Sequence, residues 1–336
     1  MANIGVIGAG SWGTALALLL RNNNNNVTIW SISEEEVDEL DRYREHKTKL
    51  PGVKIPEDII ITTDLENSVK DKDFLVLAVP SVYTRSTSKM MSSYIRKGQK
   101  IIDVAKGIED DTLMTLSEQI EEEIPQADVA VLSGPSHAEE VGRGLPTAVV
   151  IGAKSEKTAR YLQSAFKNEV FRVYISSDIK GIELGGSLKN VIALAAGIAD
   201  GMGYGDNTKA ALITRGIAEI SRIGIELGGK RETFAGLTGI GDLIVTCASV
   251  HSRNRKAGYL MGQGKTMEEA MKEVNMVVEG VYSAKAAVKL GDRLGVSLPI
   301  IQEISKVLFE GKNPKTAVNE LMLRDTGEEH PAVEWK

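Results

Sequence analysis

Through the first half of the chain, short apolar runs alternate with polar stretches of helical period. Residues 4–7, 27–30, 74–79, 101–105 and 129–132 are each continuous enough in Val, Ile, Leu, Phe and Ala to read as buried strands. Between them, residues 14–20 form an apolar helix, and residues 34–43 and 113–123 form amphipathic ones. This alternation predicts a mainly parallel, doubly wound sheet. Residues 147–151 and 171–174 add two strands around a helix over 155–166. Beyond about Ser176 the strand signal stops. Residues 178–199 and 208–227 are apolar on most faces and predict buried helices. Thr266 and Glu269 form a capping box, and Pro299 and Pro314 suit first helical turns, the latter behind Asn313 as a cap. The asparagine run at residues 22–26 reads as a polar helix-stop loop without a function of its own.

Directly after the first strand comes Gly8-Ala9-Gly10-Ser11-Trp12-Gly13, which leads into the first helix. Gly8 permits the sharp turn, Gly10 lets backbone approach a pyrophosphate, and Gly13 lets the helix close on the strand. An ordinary glycine turn would share the spacing, but not the strand before it and the helix after it. The fold class is therefore α/β. An N-terminal Rossmann-type nucleotide-binding sheet over residues 1–175 precedes an all-α domain over 176–336. The polar tail, 324–336, is expected to be poorly ordered.

The chain has 336 residues, enough for two cores, and a net charge of −6, which argues against broad nucleic-acid binding but leaves room for a local cationic pocket. Its single cysteine, Cys247, excludes an intramolecular disulfide and suits a reducing compartment. The first strand begins without a basic-then-apolar leader, and no apolar segment reads as long enough to insert in a bilayer. The expectation is a cytoplasmic protein.

Between Gly181 and Ala199 the only charges are Glu183 and Lys189, and between Gly236 and Val250 the only charge is Asp242. A lysine in such a helix either snorkels outward or is kept with a lowered pKa as a proton donor. Asp242 either caps the next helix or pairs with Lys189. The run from His251 to Lys256 suits a phosphate as well as it suits a solvated basic face. Lys106, just past a strand end, and Ser133-Gly134-Pro135-Ser136-His137, past another, lie where open α/β sheets bind ligands.

Taken in order, GAGSWGTALA, VAKGIE, SGPSHAEE, GGSLKNVIALAAGIADG, GLTGIGDLIVTC, SRNRKAG and VVEG resemble the bacterial NAD(P)-dependent glycerol-3-phosphate dehydrogenases. GGSLKN, GIGDL and SRNR together carry the resemblance further than the glycine motif, which many dehydrogenases share. It implies hydride exchange between NAD(H) or NADP(H) and dihydroxyacetone phosphate or sn-glycerol 3-phosphate, for glycerophospholipid synthesis. It implies Lys189 as the proton donor and acceptor. Substrate contacts are implied at Lys106, Gly134, Ser136, Lys189, Asp242, Ser252, Arg253 and Asn254. Cofactor contacts are implied at Ser11, Trp12, Lys106, Ala138, Arg253, Val277 and Glu279, beside Gly8, Gly10 and Gly13, and no metal is called for. At the end of the second strand the family commonly has a basic pair, where this chain has Ser31-Ile32-Ser33 and then Glu34, Glu35 and Glu36. Ser31 suits a ribose hydroxyl or a phosphate, so the choice between NAD and NADP stays open. A homodimer through the apolar helical faces is compatible with the pattern. Rival readings are a related two-domain dehydrogenase using His137 or His251 as base, and a nucleotide sensor without turnover.

Overall fold

The structure is a computed structural model and describes residues 1–325 and Glu329, so most of the tail expectation lies outside the described residues. Eight strands form one sheet: β1 (Asn3–Ile7), β2 (Asn26–Trp30), β3 (Ile60–Thr62), β4 (Phe74–Leu77), β5 (Lys100–Asp103), β6 (Asp128–Ser133), β7 (Thr147–Ala153) and β8 (Phe171–Ser176). Their spatial order is β3-β2-β1-β4-β5-β6-β7-β8, parallel throughout except where β7 runs antiparallel to β6. Val6 pairs with Ile29 on one side and Val76 on the other, all fully buried, which is why these central strands show no polar alternation. The order reverses between β1 and β4, so the crevice beyond the carboxyl ends of these strands is the sheet's natural ligand site.

The asparagine run does more than stop a helix. Asn24 takes the left-handed backbone at φ 60°. Asn23 Nδ2 donates to the carbonyls of Ala165 and Phe166 at 2.8 and 3.1 Å, covering the open end of the helix Glu156–Phe166.

The second half is helical around Ile179–Gly201, a 23-residue helix capped by Asp178, whose side chain accepts from Gly181 N at 3.0 Å. By length and composition this helix could cross a membrane, contrary to the expectation that no segment is long enough. Its apolar window is wholly buried, so it is the core of the helical half. It crosses the helix Arg253–Gly262 in near backbone contact. A Cβ added at Gly197 would stand 2.1 Å from Arg255 O, and one at Gly258 2.2 Å from Leu194 O. Gly258→Ala should therefore push the helices apart and cost about 1–3 kcal/mol, seen as a lower denaturant midpoint. An unchanged midpoint would show that the backbones do not touch.

Two ties join this core to the sheet's carboxyl edge. Ser117 donates through N and Oγ to Glu183 at 2.8 and 2.6 Å, and Ser187 Oγ donates to Gly107 O at 3.0 Å. The segment after β5 consequently faces the helical half.

Candidate active site

Gly8 turns at φ 120°, where any side chain would press on Ala78 at 2.8 Å, and a Cβ at Gly13 would meet Gly8 O at 2.0 Å. Gly10, by contrast, faces open space, with nothing within 4 Å of an added Cβ. Ser11 and Trp12 open the helix Ser11–Asn22, whose first turn carries no acidic residue, so its free N–H groups meet no competing charge. A cradle of bare backbone at a helix N-terminus fits a pyrophosphate. Ser31 follows β2 beside this turn, since Gly8 N donates to Trp30 O at 2.9 Å.

The charged centre gathers where the residues that follow β5 and β6 meet the helical half. Lys189 does not snorkel: it is 4 % exposed, with Nζ 2.5 Å from Asp242 Oδ1 and 2.5 Å from Thr246 Oγ1. Asp242 Oδ2 accepts from Lys106 Nζ at 2.7 Å. Lys106 also reaches Gly134 O at 3.1 Å and Ser136 Oγ at 3.3 Å. Asp242 begins the helix Asp242–Ala248 but caps nothing with its side chain, because both carboxylate oxygens are held by lysines. Thr246, missed in the sequence, stands one turn later on the same face and donates its own proton to Asp242 O at 2.6 Å.

This geometry sets the protonation states. Burial pushes the Lys189 ammonium down, Asp242 holds it up and Lys106 pushes it down again, leaving it at about 8. Burial would raise Asp242, but the two lysines outweigh it and keep it below the usual carboxylate range. His137 lies close by, its ring centroid 5.8 Å from that of His251. Burial, then Lys189 and Lys106, hold His137 at about 4, so it is neutral near pH 7 and a poor proton donor there.

The remaining candidates occupy a second group. Ser252 caps the helix Arg253–Gly262, accepting from Arg255 N at 3.2 Å. Arg253 is exposed at the first helical position, while Arg255 is spent on Asp200 at 2.6 Å. The basic run thus divides into one structural arginine and one available to an anion. Asn254 is buried, donating to Asn190 Oδ1 at 3.0 Å and accepting from Gly280 N at 2.8 Å, so it braces three helices. Glu279 takes up Ser81 N at 3.0 Å and Ser81 Oγ, pinning the loop after β4, and burial raises its carboxyl. Ala138 is buried at the start of a short helix, and Val277 precedes Glu279 half-buried. No hydrogen bond among the described residues joins Ser252, Arg253 or Asn254 to the Lys189–Asp242 pair.

A nucleotide cradle on a doubly wound sheet, together with a buried lysine of tuned pKa in a helical half, defines a two-domain nicotinamide-dependent dehydrogenase. Residues 3–159 match the N-terminal and residues 178–319 the C-terminal part of the family described as NAD-dependent glycerol-3-phosphate dehydrogenase, and the chain belongs to that family. It is 65% identical over the whole length of both chains to the glycerol-3-phosphate dehydrogenase [NAD(P)+] of Agathobacter rectalis. It is 59% identical to that of Fusobacterium nucleatum, over 97% of this chain and 98% of the relative. The crystal structure of glycerol-3-phosphate dehydrogenase from Coxiella burnetii superposes with a TM-score of 0.93 at 36% identity, covering 96% of this chain and 99% of that one.

Proposed function

We propose that this chain transfers hydride reversibly between NAD(P)H and dihydroxyacetone phosphate, giving sn-glycerol 3-phosphate for glycerophospholipid synthesis. The observation that carries the reading is the buried Lys189, hydrogen-bonded to Asp242 and Thr246, with its pKa brought to about 8 by burial against the opposing pull of Asp242. The bound dinucleotide supplies or accepts the hydride. Lys189 as ammonium gives a proton to the oxygen on which charge develops, and as free amine it takes the proton back in the opposite direction. Asp242 orients Lys189 and, with Lys106, a substrate hydroxyl. Gly134 and Ser136 line the loop that Lys106 grips. Arg253 and the helix start at Ser252 hold the phosphate, and Asn254 fixes that helix start. Ser11, Trp12, Ala138, Val277 and Glu279 border the cofactor, Glu279 through its grip on Ser81. Residues 1–175 form the NAD(P)-binding domain and 176–336 the substrate and catalytic domain, each lending residues to the other's ligand, in a cytoplasmic protein with neither a nucleic-acid partner nor membrane insertion.

The test follows nicotinamide absorbance with dihydroxyacetone phosphate and NADH or NADPH, across pH. Reduction needs the ammonium, so its rate should hold below pH 8 and fall above it. Oxidation of glycerol 3-phosphate needs the amine, so its rate should rise through the same pH. No turnover with either nucleotide, in folded protein that binds them, would overturn the substrate assignment. Parallel profiles in the two directions would overturn Lys189 as the titrating group.

A further inference from the structure

Beyond the carboxyl end of β2, a group of polar side chains closes on one carboxylate. Ser31 Oγ donates to Glu36 Oε2 at 2.5 Å, and Glu36 Oε1 receives Lys49 Nζ at 2.5 Å and His46 Nε2 at 3.1 Å. Ser31 is 4 % exposed and His46 2 %. Burial would raise Glu36, but His46, Lys49 and Ser31 outweigh it and bring it to about 2, so the group is ionised throughout the physiological range. This is more than a capped helix start. Ser33 supplies the cap by accepting from Glu36 N at 3.2 Å, which leaves the Glu36 side chain free to turn back toward the strand end.

The position decides what such a carboxylate meets. Ser31 follows Trp30, whose carbonyl accepts from Gly8 N in the glycine turn, so the Ser31–Glu36 unit borders the place where a dinucleotide on that turn sets its adenosine ribose. A ribose 2′-hydroxyl is a donor and wants an acceptor. Among the described residues Glu36 Oε2 has only Ser31 as a partner and keeps acceptor capacity, while the Ser31 oxygen, which donates its proton to Glu36 and accepts from Ser33 N at 3.2 Å, keeps one lone pair. A 2′-phosphate needs cations, and Lys49, Arg44 and Lys47 already have partners. Lys49 is on Glu36, Arg44 is on Asp41, Glu57 and the Ile59 carbonyl, and Lys47 lies over the Tyr43 ring. Glu34 and Glu35, in the first turn of the same helix Glu34–Tyr43, add negative charge.

We propose that Glu36, presented through Ser31 and braced by His46 and Lys49, reads the unphosphorylated adenosine ribose and makes the enzyme prefer NAD(H) to NADP(H). The inference rests on the dinucleotide reading of the glycine turn and names the form of the nucleotide. It is tested by binding alone, without substrate, using tryptophan fluorescence and calorimetry with NADH and NADPH on the full chain. NADH should bind about tenfold or more tighter, the order expected when a phosphate is set against an ionised carboxylate near the surface. Glu36→Gln should narrow that ratio about fivefold or more by removing the repulsion, and Lys49→Ala should widen it by uncovering the carboxylate. Ser31→Ala should weaken NADH and leave NADPH nearly unchanged, which keeps the test decisive if Glu36→Gln folds poorly. A purely structural role for Glu36 would weaken both nucleotides alike and leave the ratio fixed, and that result would overturn the proposal. So would wild-type protein that binds NADPH as tightly as NADH. Folded protein that binds neither would overturn the dinucleotide reading along with it.

Discussion

Replacing Lys189 with Met should lower kcat about 10³-fold in both directions while leaving the protein as stable as the wild type or more so. The asymmetry follows from the charge count at the site. Asp242 faces two ammonium groups, Lys189 at 2.5 Å and Lys106 at 2.7 Å. Removing Lys189 leaves one anion with one cation, and the incoming thioether replaces a side chain that is already buried in a predominantly apolar helix. No charge is stranded. Nucleotide affinity should stay within about twofold, because the glycine turn is untouched. The dependence on a group titrating near pH 8 should vanish. Lys189→Ala, which leaves space as well as removing the amine, should recover part of its rate when a small primary amine is added. A Met variant that turns over at the wild-type rate would transfer the proton role elsewhere, and His137 is poorly placed to inherit it, since it is held at about 4.

How much of this site can be read without coordinates depends on the signal each residue leaves. Lys189 and Asp242 are rare charges in long apolar stretches, so their pairing across 53 positions is one of the two readings the sequence leaves open, and the structure decides it. Lys106 is legible as a strand-end residue, but not as the second cation on Asp242, because nothing in a strand-loop pattern fixes where a flexible side chain ends. Arg253 and Arg255 look alike in sequence. Two residues apart on a helix they point to nearly opposite sides, and only the neighbouring Asp200 tells them apart. The fold divides in the same way. Of the six parallel strands before residue 135, five are buried apolar runs and can be read directly; β3 cannot. β3 has three residues, with Ile60 57 % exposed at the sheet edge, too short and too open to leave a pattern. The helix Thr84–Met91 escapes for another reason: its inward face is Thr84, Thr87, Ser88 and Met91, mostly polar, so the helical period is invisible to a hydrophobic reading. Glu36, His46 and Lys49 lie in polar sequence that gives no hint of convergence.

Asp242→Asn should be the more damaging change, because it fails in both stability and chemistry. The carboxylate is the sole anion shown between Lys189 and Lys106, and it is 1 % exposed. Its loss leaves two ammonium groups repelling each other in a desolvated space, a situation that typically costs about 3–5 kcal/mol. A lower denaturant midpoint would report it, and Lys106→Met added to Asp242→Asn should recover part of the loss, since one of the two stranded charges is then gone. The chemical effect has a definite sign. Asp242 is the strongest influence holding the Lys189 pKa up, while burial and Lys106 push it down. Without Asp242 the ammonium form retreats to lower pH, so carbonyl reduction at neutral pH should fall steeply and its optimum should move by at least about one unit toward acid. Amine-dependent oxidation should show its rise displaced in the same direction. Loss of rate with no displacement would mean that Asp242 positions Lys189 without tuning it. A variant as stable as the wild type, with an unmoved optimum, would mean that the two lysines are not confined together as the structure has them.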